Sequence, residues 1–304
     1  LEMICASTPA SAERYRQQFG FARATDDWQE LVADPRVEAI VIATPQEFHL
    51  AIAKAAFTLG KPVFCEKPMG AGLADAEAMV AAADGVIGDI TWFRGEHTED
   101  FFSDPNMPAT WRTDGRANGT MGDLAPHMIN AALALIGPVT SLIAEIETVH
   151  ATRPGGTVTN DDQAQMMCRF ANGAMGQMHF SRISTGRKMG YAYEVTGTKG
   201  AIRFDQEDQN ALWLYRAEGP EATRGYVKIL TGPAHPDYLP FCQGPGHGTG
   251  YQDQIIIEAR DFLRAIETKT AIWPTFRDGL AVIRIVEAAW ASSDAKTWQT
   301  VDNS

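Results

Sequence analysis

The stretch Pro62-Val-Phe-Cys-Glu-Lys-Pro68 indicates both the fold and the place where ligands bind. Its apolar residues, 63–65, predict a short β-strand, and Pro68 ends that strand because proline cannot donate to a strand ladder. Lys67 therefore stands at the carboxyl tip of the predicted strand. In open α/β sheets, ligands bind outside the carboxyl ends of the strands. We therefore expect Lys67 to lie in a binding site.

Short strands alternate with helices on both sides of this stretch. Apolar and β-branched runs predict strands at residues 3–6, 37–43 and 63–65. Helical patterns occupy residues 11–19, 48–59 and 73–83, and Asp27 can cap a further short helix. This alternation predicts a doubly wound parallel sheet, an α/β Rossmann-type domain, over residues 1–88.

The pattern changes after about Gly88 to longer alternating strands. Asn172-Gly173 and Gly197-Thr-Lys-Gly200 are hairpin signals, which favour antiparallel pairing. The predicted strands are 90–94, 141–149, 163–170, 174–180, 191–196, 201–204, 211–215 and 226–230, and the predicted helices are 126–135, 251–266 and 279–292. Residues 89–304 are therefore predicted to form an α+β domain with a large, mostly antiparallel open sheet. This division allows the last helices to pack back on the first domain.

Composition restricts the class of protein. The 304 residues are 45% hydrophobic and carry a net charge of -12, which argues against a nucleic-acid or anionic-membrane partner. The four cysteines form no CxxC pair, so neither a disulfide framework nor a cysteine zinc site is expected. A reducing, cytoplasmic setting is expected, and no apolar run approaches the ~20 residues of a membrane helix.

Asp123 and His127 place a carboxylate and an imidazole four residues apart, which a helix brings to one face. His127 is the candidate general base, because an ordinary imidazole pKa of about 6.5 suits proton exchange near neutral pH. Asp123 would orient that ring or bind a substrate hydroxyl. Lys67 would stabilise a developing alkoxide. Asp123 could also be a helix N-cap, and Pro126 in the first turn supports this role. A capping role is compatible with a role in the site.

Three local motifs resemble the glucose–fructose oxidoreductase and inositol dehydrogenase (Gfo/Idh/MocA) family. They are Ala43-Thr-Pro45 with His49, Gly60-Lys-Pro62 leading into Glu66-Lys-Pro68, and Gly119-Thr-Met-Gly-Asp123 with His127. Trp111-Arg112 and Gly232-Pro-Ala-His-Pro236 are similar to a subgroup that includes levoglucosan and inositol dehydrogenases. The resemblance implies NAD(P)-dependent oxidation of a secondary hydroxyl on a sugar, anhydrosugar or cyclitol.

The resemblance also implies roles for particular residues. Lys67, Asp123 and His127 would be catalytic. The cofactor groove would be lined by Thr44, Pro45, His49, Glu66, Lys67, Pro68, Trp111 and Arg112. The substrate would contact Lys67, His97, Asp123, His127 and Tyr251. The open sheet would form homo-oligomers, dimers or tetramers, face to face.

Ser7 bears on the choice between NAD and NADP. It follows a predicted strand at the position where NAD enzymes often carry an acid for the ribose hydroxyls. Ser7-Thr8 supplies no carboxylate, and no arginine follows directly to hold a 2′-phosphate, so the cofactor is expected to be NAD or NADP without a preference.

The chain departs from the family pattern in two places. The family's Gly-rich turn would precede Leu1, and a further strand would lie near Ala83-Asp84, so we expect the full chain to contain residues that this sequence omits. Two alternatives stay open at this point. One is a metal-assisted sugar isomerase or lyase that uses Asp123, His127 and His97. The other is a sugar-binding remnant without catalysis.

Overall fold

The structure, a computed structural model, describes residues 1–65, 86–235, 237–244 and 246–303. The predicted helix 73–83, the neighbourhood of Ala83-Asp84 and the motif residues 66–68 lie outside these ranges. The described part forms two compact units: one within Leu1–Lys67 and Arg264–Thr270, the other within Pro68–Leu263 and Ala271–Ser304. The boundary expected near residue 88 stays a prediction.

In the first unit, strands and helices alternate as predicted, which confirms the α/β Rossmann-type architecture. Strand β1 pairs in parallel with β2, and β3 pairs in parallel with β4. The elements are β1 (Met3–Cys5), α1 (Pro9–Phe19), β2 (Arg23–Thr25), α2 (Trp28–Ala33), β3 (Ile40–Ile42), α3 (Gln46–Thr58) and β4 (Val63–Cys65).

The predicted strand 37–43 is shorter in the structure. The Val37 amide donates to the Asp34 carbonyl in a turn that contains Pro35, so pairing begins only at Ile40. Val37 still packs in the apolar core of this unit with Ile40 and Ile42. Val41, between them, is 65% exposed, so β3 is buried on one side rather than on both.

Local capping explains where the first helices begin and end. Thr8 and Ser11 form a reciprocal capping box at the start of α1, and Gly20 ends that helix with φ +74°, a conformation that favours glycine. The predicted cap of α2 is confirmed, because the Asp27 carboxylate accepts from the Gln29 amide at 2.8 Å.

A nine-stranded sheet dominates the second unit and confirms the predicted large, mostly antiparallel sheet. Its order is β14-β13-β12-β11-β5-β10-β9-β6-β15, and among the described strands of this one sheet only β5 and β10 pair in parallel. The strands are β5 (Ile90–Thr98), β6 (Val139–Glu147), β9 (Gln163–Phe170), β10 (Met175–Ser181), β11 (Gly190–Gly197), β12 (Gly200–Asp205), β13 (Ala211–Arg216), β14 (Val227–Leu230) and β15 (Gln299–Thr300). A separate hairpin joins β7 (Thr152–Arg153) to β8 (Gly156–Thr157).

Helices cover one side of this sheet. Three of them, α4 (Thr120–Asp123), α5 (Ala125–Ile136) and α7 (Phe276–Ala295), pack on the sheet, and a further helix, α6 (Tyr251–Thr268), precedes α7 in the chain. Helix α5 lies close to β5 because Gly95 has no side chain, and a Cβ there would clash with Met128. The opposite side, which we call the open face, carries the cross-strand row Trp213, Arg203, Glu194, Arg94 and Gln177. Among the described helices, none is long and apolar enough to cross a bilayer.

Candidate active site

The candidate cofactor residues of the first unit follow the carboxyl ends of its strands. Ser7 is exposed beyond β1, next to the Thr8 cap of α1. Thr44 and Pro45 are exposed beyond β3, and Pro45 is the N-cap of α3. A His49 ring nitrogen lies 2.7 Å from the Thr44 carbonyl oxygen, which fixes the ring against this turn.

The register of β3 and β4 bears on the predicted position of Lys67. Ile42 pairs with Cys65 in parallel, so β3 and β4 end at the same edge of their sheet. Lys67 follows Cys65 by two positions and lies outside the described residues. Its place at this edge therefore stays a prediction.

Asp123 and His127 lie at the junction of α4 and α5. Asp123 ends α4, and His127 is the third residue of α5. The alternative role of Asp123 as an N-cap is wrong, because the N-cap of α5 is Leu124. The cap falls one residue later because the chain continues at Leu124 in helical conformation, with the Leu124 amide bonded to the Thr120 carbonyl. Both side chains are partly exposed at the surface of the second unit, so a ligand can reach them.

Trp111 and Arg112 lie beside Asp123. The Arg112 guanidinium stands 4.5 Å from the centre of the Trp111 ring, and its Nη1 lies 3.4 Å from Asp123 Oδ2. The indole is 64% exposed. This arrangement offers an aromatic face and a planar donor next to the Asp123 carboxylate.

His97 lies under His127 on strand β5 and is only 2% exposed. Its Nδ1 is 3.0 Å from the Leu124 carbonyl oxygen, and its Nε2 is 3.1 Å from Glu99 Oε1. The His97 and His127 rings meet edge to face with centres 5.3 Å apart, and Tyr191 meets His97 in the same way at 5.4 Å. Both ring nitrogens of His97 therefore contact protein acceptors rather than a surface that a substrate could reach.

A buried ion pair holds the segment that carries Trp111 and Arg112. Arg182 and Asp162 are fully enclosed, with Nη2 and Oδ1 2.9 Å apart. Arg182 Nη1 also donates to the Arg112 carbonyl at 2.9 Å and to the Asn118 carbonyl at 3.2 Å. We call Arg182 and Asp162 the buried hub, because they connect strand β10 to this segment.

Asp161 adds a second anchor next to the buried hub. Its Oδ2 accepts from the Met121 amide at 2.8 Å, whereas its Oδ1 has no hydrogen-bond partner among the described residues. The carboxyl approaches Gly119 so closely that a Cβ there would clash with it. Burial is the main cause that raises the pKa of Asp161 to about 6.

We expect Asp161→Asn to change how stability depends on pH. Because the folded-state pKa of Asp161 is raised above its ordinary value, the folded protein binds the proton of this carboxyl group more tightly than the unfolded chain does. The resulting contribution to the free energy of unfolding is present at low pH and is lost as the pH rises through about 6. From pH 5 to pH 7.5 the variant should gain about 1 kcal/mol relative to the unsubstituted chain, since asparagine does not ionise. Urea denaturation at both pH values measures this difference. An equal pH response of the two proteins would contradict the prediction.

The predicted site residues thus fall into separate groups. In the second unit, Arg112 contacts Asp123, and His97 contacts His127. Tyr251 begins α6, is 54% exposed, and makes no hydrogen bond or ring contact with Asp123 or His127 among the described residues. Ser7, Thr44, Pro45 and His49 belong to the first unit.

Sequence reasoning missed several residues that support the site. Glu99 stands two positions after His97 and one position beyond the end of β5, whereas the predicted strand ended at residue 94, so the sequence pattern did not place the two residues together. Tyr191 pairs directly with His97 across β11 and β5, and only the pairing of those strands reveals it. The partnership of Arg182 with Asp162 likewise depends on the register of a hairpin.

Comparison with known proteins gives the class of the chain. A family model described as an oxidoreductase family with an NAD-binding Rossmann fold matches residues 1–86, and a Gfo/Idh/MocA C-terminal domain model matches residues 76–203. The two matches define an NAD(P)-dependent oxidoreductase with a dinucleotide-binding and a C-terminal domain. The levoglucosan dehydrogenase of Pseudarthrobacter phenanthrenivorans is 32% identical over 99% of this chain and 89% of that protein. The chain belongs to the Gfo/Idh/MocA family.

Further relatives support the same assignment. The scyllo-inositol 2-dehydrogenase (NADP(+)) of Bacillus subtilis is 26% identical over 93% of this chain and 84% of its own length. A solved structure of levoglucosan dehydrogenase with NADH and levoglucosan has a TM-score of 0.94 at 33% identity, covering 100% of this chain and 90% of that chain. The alignment with the Pseudarthrobacter phenanthrenivorans enzyme extends over 347 positions, so that enzyme contains residues with no counterpart in these 304.

Proposed function

We propose that this chain oxidises a secondary hydroxyl of a sugar, anhydrosugar or cyclitol to a ketone with NAD or NADP. The observation that carries the proposal is the Asp123–His127 pair at the start of α5, partly exposed and beside Trp111 and Arg112. An imidazole and a carboxylate at a reachable surface are suited to proton transfer from a hydroxyl group. Relatives named for levoglucosan and inositol substrates support the substrate class.

The residues present fit a nicotinamide dinucleotide. In the first unit, exposed groups follow the carboxyl ends of parallel strands, where such folds bind their ligands: Ser7, Thr44 and Pro45. In the second unit, the exposed indole of Trp111 offers a stacking face for an aromatic ring. We propose that these residues, with His49, Glu66, Lys67, Pro68 and Arg112, hold the cofactor. When bound, the oxidised nicotinamide supplies the hydride acceptor.

The proposed chemistry divides one reaction between three side chains. His127 takes the proton of the reacting hydroxyl, while a hydride leaves the carbon that bears this hydroxyl. Lys67 stabilises the negative charge that develops on the oxygen as the carbonyl forms. Asp123, already within reach of Arg112, binds a neighbouring hydroxyl or orients the His127 ring. Tyr251 is proposed as a more distant substrate contact.

A metal-dependent reaction has less support from these residues. The alternative requires His97 as a ligand together with Asp123 and His127. Both ring nitrogens of His97 contact protein acceptors instead, the Leu124 carbonyl and the Glu99 carboxylate. No group of three or more His, Cys, Asp or Glu side chains with the geometry of a metal site occurs in the part of the chain that the structure describes.

Cofactor binding and turnover test the proposal together. We expect one of NAD and NADP, at about 100 times its dissociation constant, to stabilise the protein by about 2.7 kcal/mol, and the same cofactor to be reduced in the presence of levoglucosan or an inositol. Thermal unfolding with each cofactor and absorbance of the reduced nicotinamide measure the two effects. Stabilisation without turnover on any sugar or cyclitol would contradict the substrate class. No response to either cofactor would contradict the dehydrogenase itself.

We propose that a second copy of this chain covers the open face. Its side chains carry both signs of charge: Arg94 and Arg203 lie 3.5 and 3.7 Å from the Glu194 carboxylate between them. A depression of about 480 Å³ adjoins them, lined in part by Trp213 and Tyr226. A surface of mixed charge around an aromatic depression suits self-association through a two-fold axis.

A single charge should disrupt that association. We expect Trp213→Glu to lower the mass of the particle in solution, measured by light scattering after size-exclusion chromatography, because it buries a carboxylate in the interface. Leu239→Glu, at an exposed apolar residue outside the strands of the sheet, is the control and should leave the mass unchanged. A monomeric unsubstituted protein would contradict the proposed interface.

We also propose that the protein functions in the cytoplasm. Cys5, Cys168 and Cys242 form no disulfide in the described structure, which suits a reducing compartment.

A further inference from the structure

The buried His97 has a geometry that binding a substrate does not explain. It stands on β5 directly beneath the helix that carries His127, and its exposure is 2%. Protein groups engage both of its ring nitrogens. Buried polar side chains almost always form hydrogen bonds with specific partners. The identity of those partners therefore indicates what His97 does.

The first partner is a backbone group of the helix that carries the candidate base. Because a carbonyl oxygen only accepts, the His97 Nδ1–H donates to the Leu124 carbonyl at 3.0 Å. Leu124 is the N-cap of α5, three residues before His127. The bond thus attaches the first turn of α5 to strand β5 at the point where His127 emerges.

The second partner fixes the His97 ring itself. Glu99 Oε1 lies 3.1 Å from Nε2, so this carboxyl group contacts the ring nitrogen that does not face Leu124. The ring edges of Tyr191 and His127 close the remaining sides. The Tyr191 hydroxyl also stands 3.5 Å from the His127 carbonyl oxygen, so β11 contacts the same turn of α5.

We propose that His97 is a positioning residue for His127: through Nδ1 it holds the Leu124 carbonyl and hence the first turn of α5, while Glu99 holds its ring through Nε2. This assignment replaces the direct substrate contact expected from the sequence, and it rests on the proposed dehydrogenase function. Loss of this anchor would matter for His127, since a displacement of about 1 Å at a reacting group can lower a rate about 100-fold.

Two substitutions of His97 test the contacts of its two ring nitrogens one at a time. Asparagine carries an amide nitrogen near the position of Nδ1, so His97→Asn keeps a donor for the Leu124 carbonyl. Glutamine carries its nitrogen one bond farther, near the position of Nε2, so His97→Gln keeps only the contact with Glu99. We expect His97→Gln to lower kcat about 10–100-fold with little change in the KM of the cofactor, and His97→Asn to retain kcat within about 3-fold.

A readout that does not depend on turnover accompanies the kinetics. Hydrogen exchange of the α5 amides at residues 126–130 should become faster in His97→Gln and stay unchanged in His97→Asn, because only the first loses the anchor. His150→Asn, a matched histidine substitution in the loop after β6, should change neither measurement. If the unsubstituted protein shows no turnover, the proposed function fails, and the exchange data still decide the role of His97.

Specific results would overturn the assignment. Equal losses in the asparagine and glutamine variants, or no change in either variant, would show that the Leu124 bond does not position α5. Should His97→Gln fail to fold, Glu99→Gln replaces it as the test. That variant should lower kcat by about 3–10-fold at unchanged cofactor KM, and an unchanged kcat would overturn the proposal.

Discussion

Replacing His127 by asparagine should lower kcat about 10²–10⁴-fold while leaving cofactor affinity nearly unchanged. Asparagine cannot take a proton from the substrate hydroxyl, whereas imidazole can do so near neutral pH. The main-chain carbonyl of His127, which faces the Tyr191 hydroxyl, remains in place in the variant. Helix α5 should therefore keep its position. Steady-state kinetics with the active cofactor and sugar measure the loss, and thermal unfolding with the cofactor measures its affinity.

The control for this substitution is a second histidine outside the site. His150→Asn makes the same chemical change in a loop whose contact with Asp162 comes from the His150 backbone amide, so the control should retain full activity. A similar loss in both variants would indicate a general effect on stability. A fall of less than about 10-fold in His127→Asn would contradict the role of His127 as the base, because general acid–base catalysis contributes more than this.

Much of the fold could be predicted because local sequence signals agree with the tertiary structure. The run 63–65 is a strand as expected, and the strand predicted at 163–170 has those bounds in the structure. The strand predicted at 37–43 is shortened by the turn at Pro35, since a β-branched run alone does not show where pairing begins. The β-propensity of the residues thus predicted which segments form strands, whereas the hydrogen-bonded pairing of those strands determined where each one begins and ends.

The buried hub shows why the surroundings of the site are harder to predict. Asn172-Gly173 signals a hairpin, and the predicted strands leave residues 171–173 as its loop, which the structure closes with a bond from the Phe170 amide to the Ala174 carbonyl. The observed register continues to the end of β9 and β10, where Asp162 meets Arg182. A slip of one residue would face Asp162 with a different side chain. The correct turn therefore does not by itself reveal the ion pair.

Within the candidate site, the sequence indicated the partly exposed Asp123 and His127 but not the contacts that support them. The Asp123–His127 spacing indicated a shared surface, and the structure has both side chains partly exposed there. The ring contact between His97 and His127 joins residues 30 positions apart on a strand and a helix, which no local pattern encodes. Contacts of this kind depend on how α5 packs on β5, a step controlled by Gly95.

The buried hub should be the most sensitive point of the second unit. We expect Arg182→Met to lower the free energy of unfolding by about 3–5 kcal/mol, because it leaves the Asp162 carboxylate buried without its cation. The variant also loses the donors to the carbonyls of Arg112 and Asn118, which position the segment beside Asp123. We therefore expect kcat to fall together with stability.

Urea denaturation followed by tryptophan fluorescence measures this effect, since only Trp28 of the seven tryptophans belongs to the first unit. The double variant Arg182→Met with Asp162→Asn should recover about 1–3 kcal/mol, because it removes the unpaired charge and keeps an acceptor for the His150 amide. Arg116→Met, which breaks the exposed contact with Asp294, is the matched control and should cost about 1 kcal/mol or less. If Arg182→Met cost no more than this control, the ion pair would not anchor the segment, and the position of Arg112 beside Asp123 would have to depend instead on Asn160, whose side-chain amide donates to the Arg112 carbonyl at 3.0 Å.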